Sequence, residues 1–435
     1  MKIAIVGGGW AGLTAAVTAT QAGHHATLFE AACALGGRAR ALEGTLPDGR
    51  KVTLDNGQHI LIGAYTECLK LMRTVGVNTD TALLRLPLTL QFPDGQGLKL
   101  PNWPSPLDVL VGIVSARGWS AADKWSLLRT AARWQMQGFR CSAETTVEEL
   151  GRSLRPAVRS TLIDPLCVSA LNTPAHQASG EVFLTVLHDS LMAGTGASNL
   201  LLPRVDLGAL FADAAAQWLK QRGAVVHTGH RVVRMEQAPQ GWQVEGEAFD
   251  AVVWATSATN AAQSLTECAR EAPESIANQL TCWAATAAQL AFEPIATVYA
   301  YAPGVCLPQP LLALRSDDTS PAQFAFDRGK LGGPQGLLAL VVSASHGERA
   351  AVQTQVLRQA HLQLAPWLAG QTLQVVQTVV EKRATFACTP ALCRPPAVIA
   401  PSLAACGDYI AGPYPATLEG AVRSGLNAIK ILETA

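Results

Sequence analysis

The residues of this chain best suited to chemistry stand at its start. Gly7-Gly8-Gly9-Trp10-Ala11-Gly12 fits G-x-G-x-x-G at Gly7, Gly9 and Gly12. Such spacing suits the diphosphate of a dinucleotide: Gly7 permits a tight turn, Gly9 lets the phosphates approach the backbone, and Gly12 lets a helix pack against a strand. Glu30 follows 18 residues after Gly12. A carboxylate there accepts hydrogen bonds from ribose hydroxyls and repels a 2′-phosphate, which disfavours NADP. The flanking elements must hold these groups in place. Lys2–Val6 reads as a strand, and Leu13, Ala16, Val17 and Thr20 repeat at helical spacing. Gly23 closes that helix, and His25–Phe29 reads as the next strand. The helix N-terminus then offers free N–H groups and partial positive charge to the phosphates.

Ala34-Leu35-Gly36-Gly37-Arg38-Ala39-Arg40 comes almost at once and resembles the G-G-R motif of the FAD-dependent amine oxidase and phytoene desaturase superfamily. The far end supplies a counterpart: a short strand at Leu403–Cys406, then Gly407-Asp408, then Pro415-Ala416-Thr417-Leu418-Glu419-Gly420-Ala421 opening a last amphipathic helix. The resemblance implies an α/β fold, with a Rossmann-like FAD-binding domain of amine oxidase type and an inserted α+β substrate domain. The FAD domain would be discontinuous, at 1–65, 205–265 and 395–435, and the substrate domain would be 66–204 with 266–394. It implies FAD, bound non-covalently. Gly36, Gly37 and Arg38 would face its diphosphate, and Gly407 and Asp408 its ribityl–phosphate part. Ala11 belongs to the glycine-rich turn, Val232 would touch the adenine, and Ala416, Thr417 and Leu418 would aim a helix end at the flavin. Gly223–His227 and Arg231–Arg234 read as paired strands. There is no second G-x-G-x-x-G, so electrons must come from an external donor.

Four further segments narrow the resemblance: Leu54-Asp55-Asn56-Gly57-Gln58-His59-Ile60, Pro165–Pro174 around Ala170-Leu171-Asn172-Thr173, Leu201–Leu207, and Glu381–Phe386. Together with the termini they are similar to the hydroxysqualene dehydroxylase family, along nearly the whole chain. Tyr409 and Tyr414 stand where that family is expected to carry Trp and Leu. The resemblance implies reduction of hydroxysqualene to squalene, an allylic hydroxyl leaving as water and a hydride replacing it, in hopanoid and squalene biosynthesis. Gly57, Gln58 and His59 would then lie beside the flavin. The reaction needs a general acid and a dry apolar tunnel. His59, Tyr414 and Asn172 are the catalytic candidates: His59 titrates in the useful range, the Tyr414 phenol can relay a proton, and Asn172 can hold the substrate oxygen. Each has a structural alternative, in cofactor binding, wall packing and turn capping. Asp55 reads as structural and Lys382 as a solvated lysine.

Composition bounds these readings. Of 435 residues, 33 are basic and 33 acidic, 15% charged against the roughly 25% usual for soluble domains, and 49% are hydrophobic. A neutral chain lacks the basic field that nucleic acid requires. Ten cysteines without C-x-x-C or zinc spacing fit a reduced, cytoplasmic protein with no metal. Either the core is large or some surface meets something apolar. Trp103, Trp119, Trp125 and Trp134 cluster with Arg117, Lys124, Arg129, Arg133 and Arg140 in 103–140. Two readings fit that segment: a peripheral lip on the inner face of a membrane, through which an apolar polyprenyl substrate enters, and a helical cap that never meets lipid. Two other functions share the flavin motifs, a desaturase or amine oxidase and a non-catalytic polyprenyl carrier.

Overall fold

The structure is a computed structural model and describes residues 1–192 and 194–434. Its centre is a sheet in the order Val225–Thr228, His25–Glu30, Lys2–Val6, Ala251–Trp254, Leu403–Ala405, Val398–Ala400. The first five strands are parallel and the last is antiparallel. Three distant stretches of chain thus supply one sheet. Its inner strands are short apolar runs because both faces are covered. Ile3 and Ile5 pack with Leu13, Val17, Val422 and Ile429 on one face. Ala4 and Val6 pack on the other, over Trp242, Val244 and Phe249 of a small meander.

On the first face the helix Trp10–Gln21 lies against the C-terminal helix Leu418–Thr434. The approach is close: a Cβ on Gly425 would stand 2.4 Å from the Ala11 carbonyl oxygen.

A second, antiparallel sheet runs Leu311–Ala313, Phe324–Asp327, Leu337–Ser343, Phe292–Tyr301, Gln374–Phe386. Alternation splits it. Leu312, Leu340 and Val342 pack beneath the helix Arg349–Gln363, and Leu311, Phe324 and Val341 face a cavity. The helices Leu107–Ser115, Ala121–Met136, Asp164–Leu171 and Gly180–Leu191 roof that cavity.

Two local expectations change. Val225–Thr228 pairs with His25–Glu30, and Arg231–Arg234 is not a strand. The reason lies in its donors: the N–H groups of Val233 and Arg234 both go to the Glu245 carboxylate, at 2.7 and 2.8 Å, leaving no ladder to form. The tryptophan cluster also divides. Trp119 and Trp134 are buried, whereas Trp103 and Trp125 are 53% and 68% exposed. Leu107, Leu110 and Val114, at i, i+3 and i+7 of one helix, are exposed with them. Among the described residues no helix is long and apolar enough to cross a membrane.

Candidate active site

The glycine-rich turn leaves the strand Lys2–Val6 and opens the first helix. Its three glycines are held by three different constraints. Gly7 has φ +116°, and a Cβ there would strike the Ala255 carbonyl at 2.6 Å. A Cβ on Gly12 would lie 1.9 Å from the Gly7 oxygen, so it is the glycine of helix–strand packing. Gly9 has ordinary extended backbone, φ −74°, and nothing stands within 4 Å of its missing Cβ. It borders the open cleft, as do Ala11, Gly36 and Gly37. Gly36 bonds back to the Gly8 carbonyl at 2.9 Å, and Gly37 sits over Gly9, 3.2 Å from a built Cβ to the Gly9 Cα. The two glycine-rich turns therefore form one backbone cradle. Glu30 borders it, with one oxygen accepting from the Gly8 N–H at 2.6 Å and the other from the Ala32 N–H at 2.7 Å. Each oxygen keeps a lone pair for a ligand hydroxyl. Val232 is buried and lines the same cleft.

The C-terminal segment closes the cradle. Gly407 and Asp408 follow the last parallel strand, and the Arg38 guanidinium pairs with Asp408 at 2.5 Å while donating to the Ala384 carbonyl at 2.7 Å. The Arg38 charge is thus held in place by a protein carboxylate, in the cleft where a fixed cation facing a diphosphate was expected. Asp408 and the half-buried Arg38 form one unit across 370 residues of sequence. Ala416 takes a left-handed φ of +57° and returns its N–H to the Asp408 carbonyl at 3.1 Å. Thr417 then caps the last helix, its hydroxyl accepting from the Gly420 N–H at 2.9 Å. Thr417 and Leu418 border the cleft, so the first turn of this helix, with its unspent N–H groups, points there. Among the described residues, the buried Trp10 indole N–H and Tyr409 hydroxyl have no protein partner, and both residues border the cleft. A cradle shaped by missing Cβ atoms, a ribose-type carboxylate and a helix end fit a flavin dinucleotide.

The cleft continues without a break into an apolar chamber, the whole enclosing about 1000 Å³. Leu100, Ile113, Leu127, Leu162, Phe183 and Leu187 are among its walls. The loop Asn56–Ile60 borders the junction. Gln58 turns its amide elsewhere: Nε2 donates to the Tyr299 hydroxyl at 2.8 Å and Oε1 accepts from Arg328 at 3.1 Å. Arg328, 5% exposed, also lies 3.4 Å from the carboxylate of Asp55, which is 2% exposed and accepts the Leu207 N–H. Burial pushes Asp55 up to about 6, against the pull of Arg328. This buried quartet fastens the loop to the second sheet. Gln58 and Arg328 lie 270 residues apart, and of the four only Asp55 and Gln58 stood in a segment that the sequence singled out.

The three catalytic candidates all border the cavity, in different states. Burial pushes His59 down to about 4, and the nearby Arg38 charge adds to it, so its imidazole is neutral at pH 7. A neutral imidazole is a poor proton donor. The Asn172 side chain is fully committed: its amide donates to the Glu293 carbonyl at 3.2 Å and the Thr385 hydroxyl at 2.9 Å, and its oxygen accepts the Ala344 N–H at 2.8 Å. With φ +46° at the end of the helix Asp164–Leu171, it is a clamp between helix and sheet. Tyr414 keeps its phenol against Asp189, and burial first, then that carboxylate, pushes it up to about 12. Arg423 stands 4.9 Å over its ring. Lys382 is exposed and outside the lining, as its solvated reading requires. Two lining groups carried no sequence signal. Tyr65 meets Thr417, and burial raises its phenol; Asp189 sits in a helix without motif.

Comparison with known proteins agrees with this geometry. The chain is 27% identical to the hydroxysqualene dehydroxylase of Zymomonas mobilis, covering 98% of this chain and 97% of that protein. Identity and coverage are the same for that of Sinorhizobium fredii. An oxidoreductase structure from Methanosarcina mazei superposes with a TM-score of 0.71 at 16% identity, over 99% of this chain and 100% of that one, which shares the fold. The family model for flavin containing amine oxidoreductases matches residues 10–429, which take in the chamber and the cradle except for Gly7–Gly9. The chain belongs to the flavin containing amine oxidoreductase family.

Proposed function

We propose that the protein is a hydroxysqualene dehydroxylase: with FAD bound non-covalently, it replaces the allylic hydroxyl of hydroxysqualene by hydrogen and releases squalene and water. The observation that carries this reading is the single cavity running from the dinucleotide cradle into a chamber walled by leucine, isoleucine and phenylalanine. Amine oxidation would call for a chamber that receives a polar nitrogen; this one suits a long hydrocarbon, each buried methylene contributing about 0.8 kcal/mol. The similarity to hydroxysqualene dehydroxylases runs end to end, which supports the same choice.

Bound and reduced, the flavin supplies hydride. The chain's own residues do the rest. Gly9 and Gly37 admit the diphosphate, Glu30 holds the adenosine ribose, and Asp408, steadied by Arg38, orients the ribityl chain. The first turn of the helix at Leu418 favours negative charge at the cofactor's end. The roof helices exclude water from an allylic cation that water would trap. Exposed Trp103, Leu107 and Val114 lie on the outside of the same helical roof, and Leu110, exposed beside them, also borders the cavity. With Arg117, Lys124, Arg129 and Arg133 nearby, it supports uptake from an anionic lipid surface.

Anaerobic incubation of the reduced holoprotein with hydroxysqualene tests the reading. Squalene should appear in step with flavin reoxidation. No squalene, with desaturation of a polyene or oxidation of an amine by the oxidised protein instead, would overturn it.

A further inference from the structure

The proposed reaction consumes a proton as the carbon–oxygen bond breaks, and the lining must hold a group able to give it. The cofactor side of the cavity offers little. Glu30 is held by two backbone N–H groups, Asp408 is paired with Arg38, and His59 is neutral. Glu381 accepts the Arg383 N–H of its own strand at 3.3 Å and lies in the field of Arg38. Among the described residues, Asp189 is the carboxyl that borders the lining on the chamber side. Asp189 sits on the helix Gly180–Leu191, whose Phe183, Val186 and Leu187 form chamber wall.

Asp189 also bridges two environments. Its Oδ1 lies 2.8 Å from Nδ1 of His188, whose side chain is 52% exposed and packs edge-on to Phe139. Tyr414 borders the cavity, and after burial the Asp189 charge helps to raise its phenol; Arg423 stands over its ring, itself bound to Glu419. One partner reaches solvent and the other borders the substrate cavity.

We propose that Asp189 is the catalytic acid and that His188 reloads it from solvent. The inference rests on the dehydroxylase reading. The Asp189 carboxyl gives its proton to the allylic hydroxyl, the carbon–oxygen bond breaks, and water leaves. The hydride supplied by the reduced cofactor completes the new carbon–hydrogen bond. The Asp189 carboxylate takes a proton from His188, 2.8 Å away, which recovers one from water.

The test uses reduced holoprotein in anaerobic single turnovers, with hydroxysqualene and with its acetate ester, whose leaving group departs without a proton. Asp189→Asn should slow squalene formation from the alcohol by about 100-fold or more and leave the ester rate within about threefold of wild type. Flavin content, and hydroxysqualene binding followed by tryptophan fluorescence, should stay unchanged. Asp189→Glu should recover part of the alcohol rate. Equal rates for wild type and Asp189→Asn on the alcohol, or equal losses on alcohol and ester, would overturn the assignment while leaving the function standing. A wild-type protein that forms no squalene from the alcohol would overturn both.

Discussion

At the scale of single residues, the three fingerprint glycines are not interchangeable. Gly7 and Gly12 are required by the fold, through a left-handed φ and a 1.9 Å collision respectively, whereas nothing in the fold requires Gly9, which the proposed function assigns to the diphosphate. Gly9→Val should therefore fold, with unchanged far-ultraviolet circular dichroism, and bind flavin at least about tenfold more weakly, a loss of about 1.4 kcal/mol or more. The ratio of absorbance at the flavin band to that of the protein reads it directly. Retention of full flavin would show that the diphosphate does not approach the turn there. The fold roles of Gly7 and Gly12 were legible in the sequence because both are set within the short strand–turn–helix stretch, by a left-handed φ at Gly7 and by the contact of Gly12 with the Gly7 carbonyl. The commitments of Asn172 and Gln58 were not legible. Their partners, Glu293 and Thr385 in one case and Tyr299 and Arg328 in the other, lie 121 to 270 residues away. No local pattern encodes them.

At the scale of elements, the buried quartet decides how the loop Asn56–Ile60 meets the second sheet. Asp55 carries a cost there. Its ordinary value of 3.8 rises to about 6 on folding because burial disfavours the carboxylate. A raised acid gives its full stability below the unfolded value and loses it as pH climbs through the folded value. Between pH 4 and 6.5 the wild type should lose on the order of 2 kcal/mol relative to Asp55→Asn, whose amide oxygen can still accept the Leu207 N–H. Urea denaturation of both proteins across that range measures the difference, and parallel curves would refute it. Elsewhere the elements followed their periodicity. The first helix ends at Gln21 with Gly23 in the left-handed region, and the last begins at Leu418 behind a threonine cap. Arg231–Arg234 did not, since a single glutamate took the backbone donors that a strand would have used.

At the scale of the whole molecule, the scarcity of charge has a location. Part of it is a sheet buried on both faces, and part is the chamber. The rest shows on the outside, where Trp103, Leu107, Leu110, Val114 and Trp125 are exposed within one segment. The proposed lipid docking predicts that the protein co-sediments with vesicles containing anionic lipid. Replacing Trp103, Leu110, Val114 and Trp125 together by Ser should lower the bound fraction at least about fivefold, in line with the lost apolar contact. Binding unchanged by these replacements would mean that the row only roofs the chamber. The sequence left both readings of 103–140 open because tryptophan spacing does not tell which rings turn inward. In the fold Trp119 does, bonding Thr161 at 2.9 Å, and Trp125 does not.

The central sheet draws its strands from residues 2–30, 225–254 and 398–405, and this has a consequence for biosynthesis. At roughly 5–20 residues per second, a ribosome takes on the order of a minute or less to make such a chain. From the making of Trp254 until Leu403 is added, the nascent protein has an unfinished sheet whose open edge is the Ala251–Trp254 strand. The cradle lacks Asp408 and the capped C-terminal helix until the last few dozen residues emerge. Flavin binding through these groups would follow synthesis of nearly the whole chain, after the second sheet and the roof of the chamber have been made. A cell short of flavin would then hold finished chains with an empty cradle, open to proteolytic quality control.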